Sequence, residues 1–139
     1  NVIDLVDTRA LDREYQKQAM EPVVGYLELQ PVDKIKSFHN HLSEFIYAID
    51  TRKHCEGTRD EHTDDSWLYL RLYVVAQGLK YYRKVLADPS AMQKKYKSGE
   101  SLMFVASKAW AKVTKDEASN FDSFTFKGFG SFVNDDGWS

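Results

Sequence analysis

Residues Ser66–Ala87, SWLYLRLYVVAQGLKYYRKVLA, constrain the fold of this chain more than any other segment. Trp67, Leu70, Val74, Leu79, Tyr82, Val85 and Leu86 sit among further apolar positions, so much of a helical circumference here is apolar. A helix of that kind has to be covered on most sides, which places it at the centre of other helices. The pattern therefore predicts one central helix from Ser66 to Ala87, ended by Asp88-Pro89-Ser90. Gly78 falls inside it at a cost of about 1 kcal/mol relative to alanine, and reads as a point where another helix comes close. Asp64 or Asp65 is expected to cap its start, where a carboxylate accepts free backbone N–H groups and meets the helix dipole favourably.

The rest of the chain supplies partners for such a helix. Ile35, Phe38, Leu42, Phe45, Ile46 and Ile49 recur at spacings of three and four, which predicts a core helix over about Pro31–Asp50 with Pro31 in its first turn. Leu11, Tyr15, Ala19, Val23 and Leu27 predict helix between Ala10 and Leu29, restarting at Pro22 because proline lacks an N–H. Leu102, Val105, Ala106, Ala109 and Trp110 predict another helix over Glu100–Lys112. Thr51–Thr63 is polar, contains Gly57 and reads as a loop. From Phe121 to Trp138 the spacing of Phe124, Phe126, Phe129 and Phe132 among glycines fits neither a long helix nor a clean strand. It is expected to be an extended arm or small hairpin laying aromatic rings on the helices, each buried Phe contributing about 1.5–3 kcal/mol. The fold class is thus mainly α: a compact bundle of about five helices with an extended aromatic-rich C-terminal arm, forming a single domain over 1–139.

At 139 residues the chain is long enough for a real core without disulfides or metal. No run approaches a membrane-spanning length and no stretch reads as a signal peptide, so a cytoplasmic location is expected. The lone Cys55 allows no internal disulfide and no CxxC site. The net charge is −2, too balanced to predict nucleic-acid binding. It is unevenly shared, with 8 basic against 14 acidic residues over 1–70 and 11 against 7 over 71–139. Acidic and basic faces of one domain that complement each other account for this most simply.

The segment SWLYLRLYVVAQGLKYYRKVLADPSAM, Ser66–Met92, resembles bacterial proteins carrying the domain of unknown function DUF4240. The matching positions are Trp67, Tyr69, Arg71, Val75, Ala76, Gly78, Tyr81, Tyr82, Leu86, Asp88 and Pro89. The Pro31–Asp50 helix and the sequence LMFVASKAW also resemble parts of that family. The resemblance implies a helical fold and brings no established reaction. It also implies either an N-terminal truncation or a divergent start, because the family's aromatic-rich first helix is represented here only by Val2–Val6.

Candidate sites follow from residue chemistry. Arg71, among Trp67, Tyr69 and Tyr73, can lay its guanidinium over a ring while pairing with Asp50 or Asp64. Its functional reading is an anion or peptide-carboxylate receptor at the edge of a groove. His54, Cys55 and His62, with Asp60 or Asp64, share one polar segment, but their spacing matches no closed zinc motif. His39 and His41, two apart on a helix, point in different directions. Cys55 has no sequence-evident base and orienting group, and HExxH, GxSxG, Walker and GxGxxG motifs are missing. Lys94, Lys95 and Lys97 read as a hydrated surface.

These observations favour a non-enzymatic protein-binding or regulatory domain, immunity to a toxin being one version, with a protein partner and no cofactor. The partner-binding candidates are Arg71, Tyr69, Tyr73, Asp64 and Phe129. The alternatives are a small anionic-ligand-binding protein and a metal- or cysteine-dependent enzyme. A continuous exposed patch on the arm would favour a partner surface, and an open pocket at Arg71 a small anion.

Overall fold

A computed structural model describes residues 1–13, 15–58 and 60–139. A 3-10 turn at Val2–Leu5 precedes α1 (Thr8–Asp12), α2 (Gln16–Leu27), α3 (Val32–Ala48), α4 (Arg52–Gly57), α5 (Asp64–Ala76) and α6 (Leu79–Ala87). Short 3-10 turns at Pro89–Ala91 and Glu100–Phe104 lead to α7 (Val105–Thr114), and a turn at Ala118–Asn120 begins the arm, which ends in α8 (Asp135–Trp138). The architecture is mainly α-helical, with α2, α3, α5, α6 and α7 as its substantial helices. No helix among the described residues is long and apolar enough to cross a membrane.

The segment read as one central helix is two helices. Gly78 adopts φ +106° and ψ 159°, a conformation essentially confined to glycine, and the axis breaks between Ala76 and Leu79. The cause lies far away in the chain. The Asp4 Oδ1 accepts from the Leu79 amide at 2.9 Å and caps α6 from the N-terminal turn. A side chain at Gly78 would press on that same Asp4 oxygen at 3.2 Å. Gly78 therefore serves a chain reversal and a cap, not the helix approach expected from sequence.

The central position of the segment holds for α5. From Trp67 to Ala76 every residue but Tyr69 is buried. Gly99 brings the 93–99 stretch directly against it: the Gly99 amide donates to the Tyr69 carbonyl at 2.9 Å, and a side chain at Gly99 would run into the backbone of Leu72 and Tyr73. The α5 cap is Thr63, which with Ser66 forms a reciprocal capping box. Asp64 and Asp65, expected as the cap, sit in the first turn.

Other corrections are local. The α2 helix runs through Pro22 instead of restarting there, because Pro22 lies on the exposed face where solvent satisfies the carbonyl left without a donor. The loop read at Thr51–Thr63 contains α4, capped by the Thr51 hydroxyl. Pro31 is the N-cap of α3 and stands just before its first turn. The apolar face of α3 is buried at Ile35, Phe38, Leu42 and Ile46, while Phe45 is half-buried against Tyr82, with ring centroids 5.1 Å apart. Truncating Phe45 therefore costs less than the full core penalty of about 3–5 kcal/mol.

Candidate functional site

The most polar interior of the molecule lies where α3 ends. Asp50 follows the α3 C-terminus, and its own amide donates to the Tyr47 carbonyl at 3.1 Å. Its carboxylate is fully buried and accepts five N–H groups. Oδ1 receives the Trp67 indole at 2.8 Å, the Trp138 indole at 3.0 Å and the Phe132 amide at 3.1 Å. Oδ2 receives the amides of Val133 at 2.8 Å and Asn134 at 3.2 Å. Three consecutive arm amides thus converge on one carboxylate, and Phe132 takes φ +62° to let them do so.

One helical turn past Trp67, Arg71 completes the arrangement. Its guanidinium is fully buried and lies over the Trp67 ring, 5.3 Å from the centroid. It donates to the carbonyls of Trp67 (3.3 Å), Ile46 (2.9 Å) and Gly130 (2.8 Å), and to the Ser131 hydroxyl (2.8 Å). Ser131 in turn donates to the Asp64 backbone carbonyl at 2.6 Å.

The electrostatics follow from these contacts. Burial by itself raises the Asp50 carboxyl, but the Arg71 charge and the donors from Trp67, Val133 and Trp138 outweigh it and hold the group below the ordinary carboxylate range. Burial pulls the Arg71 guanidinium down to about 10, which leaves it charged at neutral pH.

The five candidate residues separate into two groups. Arg71 and Asp64 lie against the arm, and Phe129 belongs to it, stacked on the His39 ring at 4.6 Å. Tyr69 and Tyr73 lie on another side of α5. The Tyr73 hydroxyl donates to Asp12 at 2.7 Å, and burial followed by that bond raises its pKa. Tyr73 lines a cleft of about 210 Å³ with Tyr96 and Lys97. The arrangement expected around Arg71, a cation at a groove edge, is replaced by a cation sealed beneath the arm.

The histidines of the 51–63 segment are engaged locally. His54 bonds Thr51 Oγ1 at 2.7 Å through Nδ1 and the Val85 carbonyl at 2.9 Å through Nε2. His62 bonds Thr58 and Ser66 through its two ring nitrogens. Burial, then the charges of Asp50 and Glu56, raise the Cys55 thiol, opposite to the shift that a nucleophile needs. Among the described residues no three His, Cys, Asp or Glu side chains come together as a metal-binding group.

Two further features lie outside the anchor. A groove of about 670 Å³ runs between α2 and α7, lined by the apolar Met20, Val24 and Ala111 and by the charged Lys17, Lys108, Lys112, Glu21 and Glu28. Lys112 is paired with Glu28 at 3.1 Å. Farther along the arm, Phe124 and Phe126 are 74% and 83% exposed and meet edge to face at 5.8 Å. Asp50 and Trp138 are what sequence reasoning missed as an arm anchor. The available signal was an acid directly after an amphipathic helix, together with a Trp in an otherwise polar C-terminal stretch.

Together these features define an α-helical domain closed by its own C-terminal arm over two buried side chains of opposite charge, Asp50 and Arg71. A family model described as "Protein of unknown function (DUF4240)" matches residues 1–112, and the chain belongs to that family. Comparison with curated proteins and with solved structures returns no match.

Proposed function

We propose that the chain is a non-enzymatic protein-binding domain whose partner surface centres on Phe124 and Phe126. The observation that carries this reading is their exposure of 74% and 83% on a stretch whose backbone is fixed. The Phe126 amide donates to Asn40 Oδ1 at 3.1 Å, the Gly128 amide donates to Thr125 Oγ1 at 2.9 Å, and Thr125 is itself buried. Two rings held at the surface on an ordered backbone lose little conformational freedom on binding, and aromatic residues dominate the energetic centres of interfaces. The hydrogen bonds of His54 and His62 and the raised Cys55 thiol weigh against a nucleophile centred on Cys55. A regulatory role in the bacterial cytoplasm, with immunity to a toxin as one version, belongs to this reading. The single Cys55 needs no oxidising compartment.

The test compares the parent chain with the double variant Phe124→Ser/Phe126→Ser, each tagged, expressed in its host and measured by native mass spectrometry. A defined heterocomplex with the parent, lost in a variant of unchanged thermal stability, is the expected result. A complex retained by the variant, or a parent chain recovered bare, overturns the reading.

A second reading is favoured by the α2–α7 groove, whose apolar residues and three lysines against the two glutamates Glu21 and Glu28 suit an amphiphile with an anionic head. Laurate binding lost in Lys17→Glu/Lys108→Glu would support it over the arm surface.

A further inference from the structure

The arm contacts divide in an informative way. Among the described residues, the groups that receive the arm at the anchor lie within the family-matched residues 1–112: Asp50 and Arg71, the carbonyls of Tyr47 and Asp64, and Arg52. Everything that is received lies beyond it, between Gly130 and Trp138. We propose that the Asp50–Arg71 cleft is a peptide-binding site, which residues 130–138 fill in cis and which accepts an equivalent peptide segment from another chain.

The chemistry identifies a peptide as the ligand. A small anion would meet the Asp50 carboxylate as a like charge, and a small cation would meet the Arg71 guanidinium. A peptide bent at a left-handed residue, as the arm is at Phe132, satisfies both at once. Its carbonyl faces the guanidinium, as at Gly130 (2.8 Å), and its successive amides face the carboxylate, as at Phe132, Val133 and Asn134 (3.1, 2.8 and 3.2 Å). Side chains then set selectivity. Ser131 bridges Arg71 and the Asp64 carbonyl, Asn134 donates to the Tyr47 carbonyl at 3.0 Å, and Trp138 gives its indole to Asp50. Arg52 completes the fit by donating to the Trp138 carbonyl at 2.7 Å. The ligand class is therefore a Gly-Ser-aromatic segment with Asn two residues and Trp six residues after the aromatic.

The receptor is costly to leave empty, because without the arm Asp50 keeps only the Trp67 indole among these donors. A buried charge stripped of its hydrogen bonds is strongly unfavourable. The cis arm is present at the high effective concentration of a tethered ligand, so a free peptide competes poorly unless the arm is weakened.

The experiment uses a fluorescein-labelled peptide of residues 128–139, read by anisotropy against three full-length chains: the parent, Trp138→Ala and Val133→Pro. Trp138→Ala removes the indole contact, and Val133→Pro removes one amide donor, its side chain being exposed. Both leave the receptor side untouched. Binding to either variant about tenfold or more tighter than to the parent is expected. The same peptide N-methylated at Val133 should bind the variants at least about tenfold more weakly, since it lacks a backbone donor to Asp50. Equal binding of the methylated peptide, or no binding to cooperatively folded variants, overturns the proposal. Failure of both variants to unfold cooperatively also overturns it, because the arm would then be an inseparable part of the core. The peptide omits Phe124 and Phe126, so the result is independent of the partner surface proposed above.

Discussion

The imidazole of His39 stacks on the Phe129 ring at 4.6 Å and 29°, with Phe121 meeting its edge at 5.4 Å, so a titratable group lies between α3 and two arm aromatics. Among the described residues its Nδ1 is buried without a hydrogen-bond partner, and burial lowers its pKa below 6.5. The neutral ring is thus the form that fits the arm.

The arm should therefore loosen in acid. A group with a depressed pKa in the folded state contributes stability that is complete above its unfolded value of 6.5 and is lost as pH falls through the folded value. His54 and His62 shift the same way through burial, so the contribution of His39 has to be isolated by difference. His39→Phe should lose less thermal stability than the parent between pH 7.5 and 5. Parallel curves would remove His39 from this role.

Asp50 and Arg71 should behave as a coupled pair. Asp50→Asn removes an opposite charge felt by the buried guanidinium and turns an amide NH2 toward arm N–H donors, so it should cost about 1–3 kcal/mol in denaturant unfolding, with Arg71→Met costing a similar amount. The double variant should lose clearly less than the two losses added together, because each single change strands the other charge. Additive losses would show that the two charges do not support one another.

Two glycines should respond in opposite directions. Gly25, in the last turn of α2, has open space where a Cβ would stand, with nothing within 4 Å, so Gly25→Ala should stabilise by about 0.5–1 kcal/mol. Gly78→Ala should destabilise by about 1–3 kcal/mol, because alanine resists φ +106°. Thermal melts of both variants decide this, and a stabilised Gly78→Ala would contradict the break between α5 and α6.

What the sequence revealed divides along physical lines. The α3 face was legible because Ile35, Phe38, Leu42 and Ile46 repeat the helical period and the interior rewards that period. The break at Gly78 was not, since a glycine tolerated within a helix and one at positive φ look alike, and the residue that decides between them is Asp4. Arg71 beside Trp67 was legible as a stacked pair because one helical turn brings them together. The anchoring role of Asp50 was not, because three of its arm partners are backbone N–H groups 82 to 84 residues away, which no side-chain pattern records, and the fourth is the Trp138 indole 88 residues away.

That separation orders the folding reaction. The helices carrying Asp50, Trp67 and Arg71 can assemble while the carboxylate is still hydrated, whereas closing a loop of more than eighty residues brings its own entropic cost. The last event is then the expulsion of water from around a charge. In pulse-labelled refolding, the amides of Phe132, Val133 and Asn134 should gain protection after those of α5, in a step slowed by every condition that favours the hydrated carboxylate.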